Sequence, residues 1–156
     1  MENQKEAIIM ILKSINFIVD LFNREIQEKF QVGSNVVIAN RIIDAKDEIP
    51  VENLNKIVIT LLHFEREHKS EKIYNLYLSL LSNFEDYYES LKFFEQTIFI
   101  QNKLMALEQN NLPQGIKNMK CIEIQDLKLT DIFSLYKTKS TIFQPSALYK
   151  VQILMD

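Results

Sequence analysis

The chain contains few of the residues from which common functional motifs are built. It has one cysteine, Cys121, which excludes an internal disulfide bond and indicates a reducing compartment. Its two glycines and three prolines exclude a Pro/Gly-rich disordered chain and leave little material for a glycine-rich phosphate-binding loop. Its net charge of −3 argues against a nucleic-acid partner, because such proteins normally carry a basic stripe.

The rest of the composition is ordinary for a globular protein. Hydrophobic residues make up 47% of the 156 residues and charged residues 25%, which suits a single domain over residues 1–156. The chain opens with acids and amides, unlike the basic start of a signal peptide. Its longest early apolar run, 7–12, is far shorter than the roughly 20 residues of a membrane span. We therefore expect a cytoplasmic protein with no membrane partner.

Apolar periodicity predicts two long helices and about five strands. Residues 4–30 have helical spacing, and a second long helix is predicted from Ser82, where Ser82 and Glu85 fit a capping box. Apolar and polar alternation predicts strands at 36–43, 56–67, 73–81, 117–126 and 147–155, and a short helix is predicted at 130–137. The second and third strands are expected to form an antiparallel hairpin. The predicted class is α+β, a mostly antiparallel sheet of about five strands packed with two long helices and one short helix.

The first long helix carries more apolar surface than a single stripe. In the first helix, Ile9, Met10, Phe17 and Leu21 widen the apolar face beyond what a one-sided surface helix requires. Either this helix is sandwiched inside the fold, or part of it packs on another subunit. Aromatic residues are concentrated between 74 and 99, with few basic residues among them to favour base stacking. This segment is therefore interpreted as core together with a protein interface, since Tyr and Phe are enriched at interface centres.

The sequence contains no recognised catalytic or cofactor-binding motif. His63 and His68 are the only histidines, and their odd separation on a strand places them on opposite faces, so shared metal ligation is not expected. Cys121 lies within an apolar strand, which favours a buried, unreactive thiol. Two carboxylate pairs are expected to be solvated charges; they are Glu65 with Glu67, and Glu85 with Asp86. We therefore expect no enzyme, no cofactor and no metal site.

Two adjacent segments resemble a known family. They are 75–84 (NLYLSLLSNF) and 86–94 (DYYESLKFF). A leucine–tyrosine–leucine strand, a short break with an aromatic residue and a helix with Tyr before Ser-Leu-Lys resemble the pattern of cap, or tail-terminator, proteins of phage-tail-like contractile injection systems. The resemblance continues at 112–115 (LPQG), at Leu127 with 129–136, and at 145–151 (PSALYKV), so it covers nearly the whole chain.

The resemblance implies a structural protein that works by self-assembly. Family members form a ring, by analogy a homo-hexamer, on the end of the inner tube away from the baseplate. The ring ends tube growth and anchors the last layer of sheath. The implied partners are copies of the same chain, the inner tube protein and the sheath protein, without nucleic acid or membrane. The implied location is the bacterial cytoplasm during assembly and then the assembled injection particle.

Several residues are candidates for the interface of such a ring: Phe17, Leu21, Tyr77, Tyr88, Lys137, Lys139, Gln144, Tyr149 and Val151. The last strand, 147–155, is the candidate sheet edge for strand addition by the sheath. The polar loop 137–144 is a candidate contact with tube or sheath. The alternative function is a non-catalytic adaptor that recruits an effector or another component to the particle. An enzyme with an unrecognised site is a third class, disfavoured by the missing motifs and glycines.

Overall fold

A computed structural model describes residues 2–68, 72–105, 111–124, 128 and 144–156 of the chain. The elements in chain order are α1 (Glu2–Phe30), β1 (Val37–Ala39), β2 (Lys56–Arg66), β3 (Ile73–Asn83), α2 (Tyr87–Met105), β4 (Ile116–Glu123) and β5 (Ser146–Met155). A single turn of 3-10 helix, Val51–Asn53, precedes β2. The predicted short helix at 130–137 and most of the loop at 137–144 lie outside the described residues.

The strands form one sheet in the order β1-β2-β3-β5-β4. Three of the four strand pairs are antiparallel, and β1 runs parallel to β2. The predicted α+β class with a mostly antiparallel five-stranded sheet is confirmed, as is the β2–β3 hairpin. The first strand is shorter than predicted, three residues instead of eight.

Both helices pack on the same face of this sheet. Ile18 and Phe22 of α1 and Ile100 of α2 belong to one buried cluster with the alternate residues Ile57 and Ile59 of β2. The helices also contact each other, because Phe30 meets Phe93 edge to face with ring centroids 5.1 Å apart, and Lys103 forms an ion pair with Glu25. On the opposite face of the sheet, the cross-strand neighbours Val58 and Leu81 are fully buried as well.

The start of the second helix differs from the prediction. Ser82 fits a capping box in the sequence, but it is the penultimate residue of β3, where it lies opposite Ile57 and donates its backbone N–H to the Pro145 carbonyl. The cap is Asp86, whose Oδ1 accepts the Glu89 N–H at 3.1 Å. The strand therefore continues through the predicted helix start, because its backbone groups are satisfied by neighbours on both sides.

The last strand is not an edge, and that prediction is wrong. β5 lies between β3 and β4 and pairs antiparallel with both, so its backbone is not open to strand addition. The edges of the described sheet are β1 and β4. The pairing of β4 with β5 is irregular between Ile116 and Asn118. Within the described residues, no helix has the length and apolarity required to cross a membrane.

Candidate interaction surfaces

The side of α2 that faces away from the sheet carries several large apolar residues among exposed polar ones such as Glu95 and Asn102. We define the α2 outer face by its exposed large apolar residues, which are Tyr87, Tyr88, Leu91, Ile98 and Phe99. Tyr88 is 81% exposed, so its ring has almost no neighbours within the described chain. An exposed apolar group of this kind, rimmed by charged residues, is typical of a protein-interaction site.

The side of α2 that faces the sheet mixes polar and apolar residues. Of its five buried residues among those described, Phe93 and Ile100 belong to the core, whereas Ser90, Thr97 and Gln101 carry polar side chains. Each polar side chain has a hydrogen-bond partner: Ser90 Oγ accepts the Phe84 N–H at 3.1 Å, and Thr97 Oγ1 donates to the Phe94 carbonyl at 2.6 Å. The Gln101 amide donates to the Cys121 sulfur at 3.5 Å. A surface helix of a monomeric globular protein normally has fewer polar residues on its buried side and fewer large apolar residues on its exposed side.

The first turns of α1 form a second exposed apolar surface. We define the α1 patch as Ile8, Ile9 and Leu12, each of which is more than half exposed. Farther along the same side of the helix the exposed residues are polar, as at Asn16 and Asp20. The other side of this part of α1 is fixed to the fold by Met10, which is buried and lies close to Gly115.

The structure separates the predicted interface residues into three groups. Tyr88 is exposed on the α2 outer face, while Phe17, Tyr77 and Gln144 are partly buried. The prediction is corrected for Leu21, Tyr149 and Val151, whose side chains lie in the core and are therefore not available to a partner. Tyr149 and Val151 line an apolar cavity of about 20 Å³ between α1 and the sheet, which has room for no more than one water molecule. Lys137 and Lys139 lie outside the described residues.

The structure shows which of the surplus apolar residues of α1 pack within the fold and which are exposed. Met10 and Leu21 are buried and Phe17 is partly buried, so this surplus apolar surface packs within the fold. Ile9 is exposed and belongs to the α1 patch. Periodicity predicted the helix but not this division, because Ile8 and Leu12 share helical spacing with residues that are buried.

A side chain of α1 covers the beginning of the β1 edge. The Asn23 Oδ1 atom accepts the N–H groups of Val36 and Val37 at 2.9 and 2.8 Å, and its amide donates to the Val37 carbonyl at 2.8 Å. Val37 is the first residue of β1, so both of its backbone groups bond to Asn23 instead of to another strand. Among the described residues, β4 has no strand on its outer side, and it carries the exposed Lys117 and Lys120. Lysines are a common means of protecting an edge strand from unspecific pairing.

Neither a protein-family model nor a curated protein matches this chain. The resemblance to tail terminators therefore stays a hypothesis that neither comparison tests.

A polar cluster lies on the sheet face opposite the helices. Glu65 Oε1 accepts the Tyr77 hydroxyl at 2.8 Å and the Asn75 amide at 3.4 Å, and His63 Nε2 lies 3.9 Å from Glu65 Oε2. The Tyr77 hydrogen bond lowers the pKa of the Glu65 carboxyl, and the same bond raises the pKa of the Tyr77 phenol. The Glu65 side chain is nearly half exposed, so this is a surface network and not an enclosed acid–base pair.

The other residues considered for chemistry occupy separate places. His63 lies within β2, whereas His68 follows the end of that strand. Cys121 is a buried thiol in β4, as its apolar surroundings in the sequence predicted. In the part of the chain that the structure describes, no three His, Cys, Asp or Glu residues are grouped so that they could hold a metal ion.

Proposed function

We propose that this chain is a structural cap, or tail terminator, of a contractile injection system. It forms a homo-hexameric ring on the baseplate-distal end of the inner tube, ends tube growth and anchors the last sheath layer. The observation that carries the proposal is the exposed apolar surface of α2, where five large apolar side chains lie outward while three of the buried side chains of the helix are polar. A helix in this arrangement gains from burial against another protein molecule, as ring assembly requires.

The position of α2 in the fold strengthens this interpretation. Its buried polar residues are all hydrogen-bonded and Phe93 and Ile100 pack in the core, so the helix is held on the sheet while its other large apolar residues stay exposed. The start of α2 also carries the segment 86–94 on which the family resemblance depends. The sequence pattern and the surface therefore point to the same part of the chain.

The sheath contact is proposed at β4. Strand addition requires an edge with open backbone groups. β5 is internal, and β1 is three residues long with its first residue, Val37, already bonded to Asn23. β4 is eight residues long and is the last strand of the sheet that the described residues form. It therefore replaces β5 as the strand offered to a segment of the sheath.

Deletion of the gene in its host, followed by negative-stain microscopy of the particles, tests the proposed function. Overlong, ragged or sheathless tubes would support termination. Particles of normal length and normal sheath would rule the cap out and favour the adaptor alternative, for which a bound cargo is the next thing to seek. Complete loss of particles shows only that assembly requires the protein.

Complementation of the deletion makes the test specific to α2. Tyr88→Asp places a charge in the α2 outer face, and we expect the defect to persist because burying an unpaired carboxylate is costly. Ser34→Asp is the matched control, since Ser34 is also exposed but lies in the turn after α1, and we expect it to restore normal length. Folding of both variants is checked by circular dichroism of the purified chains.

A further inference from the structure

We infer that neighbouring copies of this chain dock head to tail, with the α1 patch of one copy on the α2 outer face of the next. This inference deepens the proposed function, on which it rests, by naming the contact between neighbours in the ring. It depends on three features of the described surface: two unlike apolar patches, their separation along the molecule, and the charges around them.

The two patches are chemically different. The α1 patch consists of the aliphatic residues Ile8, Ile9 and Leu12, whereas the α2 outer face presents two tyrosines at its start, Tyr87 and Tyr88. A contact between two identical patches closes a dimer with twofold symmetry, but a contact between two different patches continues from copy to copy. A chain that carries two unlike patches is therefore suited to a ring.

The α1 patch also lies far from the two tyrosines at the start of the α2 outer face. Phe30, at the end of α1, packs on Phe93, so the first turns of α2 lie near the end of α1. Ile9 is 21 residues before Phe30, which corresponds to about 30 Å along a helix. The beginning of α1 lies instead beside the turn before β4, where Lys13 Nζ donates to the Gln114 carbonyl at 3.4 Å. One molecule therefore cannot bring its own two patches together.

The charges around the two patches are complementary. Lys5 and Lys13 are exposed and lie one helical turn before and after Ile9, on the same side of α1. The nearest described acidic residue along the chain is Glu6, so the two lysines outnumber it. The remaining positive charge suits an acidic partner surface.

The start of α2 provides such a surface. Glu85 and Asp86 are exposed directly before Tyr87, and Glu89 follows one turn later. Lys92 is the nearest base on this helix, and it is already paired with Glu89 at 3.3 Å. Opposite charges at the rims of two apolar patches favour this orientation over a contact between like patches, which would bring like charges together.

Mixing two blocked variants tests the inference directly. Ile9→Asp blocks the α1 patch, and Tyr88→Asp blocks the α2 outer face; both positions are exposed, so both variants are expected to fold. Each variant alone should sediment as a monomer. An equimolar mixture should form a one-to-one dimer of twice the 18.4 kDa chain mass and nothing larger, because each pair retains a single intact contact.

Other outcomes of the mixing experiment overturn the inference. Self-association of the Ile9→Asp chain would show that the α2 outer face binds itself, and self-association of the Tyr88→Asp chain would show the same for the α1 patch. If wild-type chains associate but the mixture does not, the contact uses other surfaces.

A pair of introduced cysteines tests the case in which the contact forms only on the assembled tube. The Ile9→Cys/Tyr88→Cys chain, produced in the particle-forming host, should give a ladder of disulfide-linked chains in oxidised particles, removed by reductant. The native Cys121 is buried and does not compete. Linked dimers from either single-cysteine variant would indicate contacts between like patches. No linkage in particles and no dimer in the mixture would overturn the inference.

The two proposals can fail separately. If the blocked variants pair in solution but deletion leaves particle length unchanged, head-to-tail docking stands and the cap function is wrong. If deletion gives overlong tubes but the cysteines do not link, the cap function stands and the ring uses a different contact.

Discussion

Asn23 and Val37 exchange two hydrogen bonds that tie the first helix to the first strand. The Asn23 amide donates to the Val37 carbonyl, and the Val37 N–H donates to Asn23 Oδ1, each at 2.8 Å. A neighbouring strand would offer the same donor and acceptor. The side chain therefore takes the place of a neighbouring strand at Val37, the first residue of β1.

Replacement of Asn23 tests how much this contact stabilises the fold. Asn23→Ala removes three hydrogen bonds and leaves two buried N–H groups without a partner, so we expect the free energy of unfolding to fall by about 2–4 kcal/mol. Urea denaturation measures the change. Asn16→Ala, at an exposed position of the same helix, is the control and should change stability by less than about 0.5 kcal/mol. Equal midpoints for the two variants would contradict the role assigned to Asn23.

Gly115 and Gly33 differ in a way that predicts opposite effects of alanine. Gly115 has φ of +90°, and a Cβ atom there would lie 2.6 Å from Met10 Cε. Gly115→Ala should therefore destabilise the fold by roughly 1–3 kcal/mol, mainly through backbone strain, since the end of the Met10 side chain can move. A Cβ at Gly33 would meet nothing within 4 Å, and Gly33→Ala should be neutral or stabilise by up to about 1 kcal/mol. Thermal unfolding of both variants gives the comparison, and a destabilising Gly33→Ala would contradict it.

Local patterns predicted the elements that depend on local chemistry. The β2–β3 hairpin was predicted within two residues at each end, because both strands alternate strongly and are adjacent in sequence. The parallel pairing of β1 with β2 could not be predicted, since the residue pattern of a three-residue strand does not specify the direction of its neighbour. Ser82 shows a different limit: it satisfies a helix-capping pattern, yet long-range strand pairing decides its conformation.

The candidate surfaces could be predicted only in part. The sequence predicted that Tyr88 belongs to an interface, and the structure exposes it. Tyr149 and Val151 have the alternation of an edge strand with one free face, but their side chains point into the core from an internal strand. Periodicity could not predict which side of α2 is inside, because Ser90 and Thr97 are polar and yet buried. Each forms a hydrogen bond with a backbone group nearby in the chain.

The Tyr77–Glu65 bond predicts a pH effect with a definite sign. Tyr77→Phe removes the main cause of the lowered pKa of Glu65, so that pKa should rise toward its ordinary value of 4.5. A carboxyl with a lowered pKa stabilises the fold above its ordinary pKa, and this contribution is lost as pH falls through the lowered value. Wild type should therefore lose its advantage over the variant below about pH 4.5.

Carboxyl-carbon NMR titration of Glu65 measures this pKa directly. Tyr74→Phe is the matched control, because Tyr74 lies on the same strand, pairs with Arg66 and stacks on Phe64 instead of contacting Glu65. It should leave the Glu65 titration unchanged. An unchanged Glu65 pKa in Tyr77→Phe would show that the hydrogen bond is not formed in solution.

Cys121 reports on the packing between α2 and the sheet. Its thiol is buried beneath α2 and accepts a hydrogen bond from Gln101, so a thiol reagent can reach it only when this part of the fold opens. We expect the reaction in native protein to be slow and to accelerate at the urea concentrations that unfold the chain. Gln101→Ala should speed the native reaction, because it removes a side chain that covers the sulfur. Ser34→Cys supplies an exposed reference thiol that reacts at once. If Cys121 reacted as fast as that reference thiol, α2 would not be held on the sheet as described. The exposure of its apolar residues would then no longer indicate an interface.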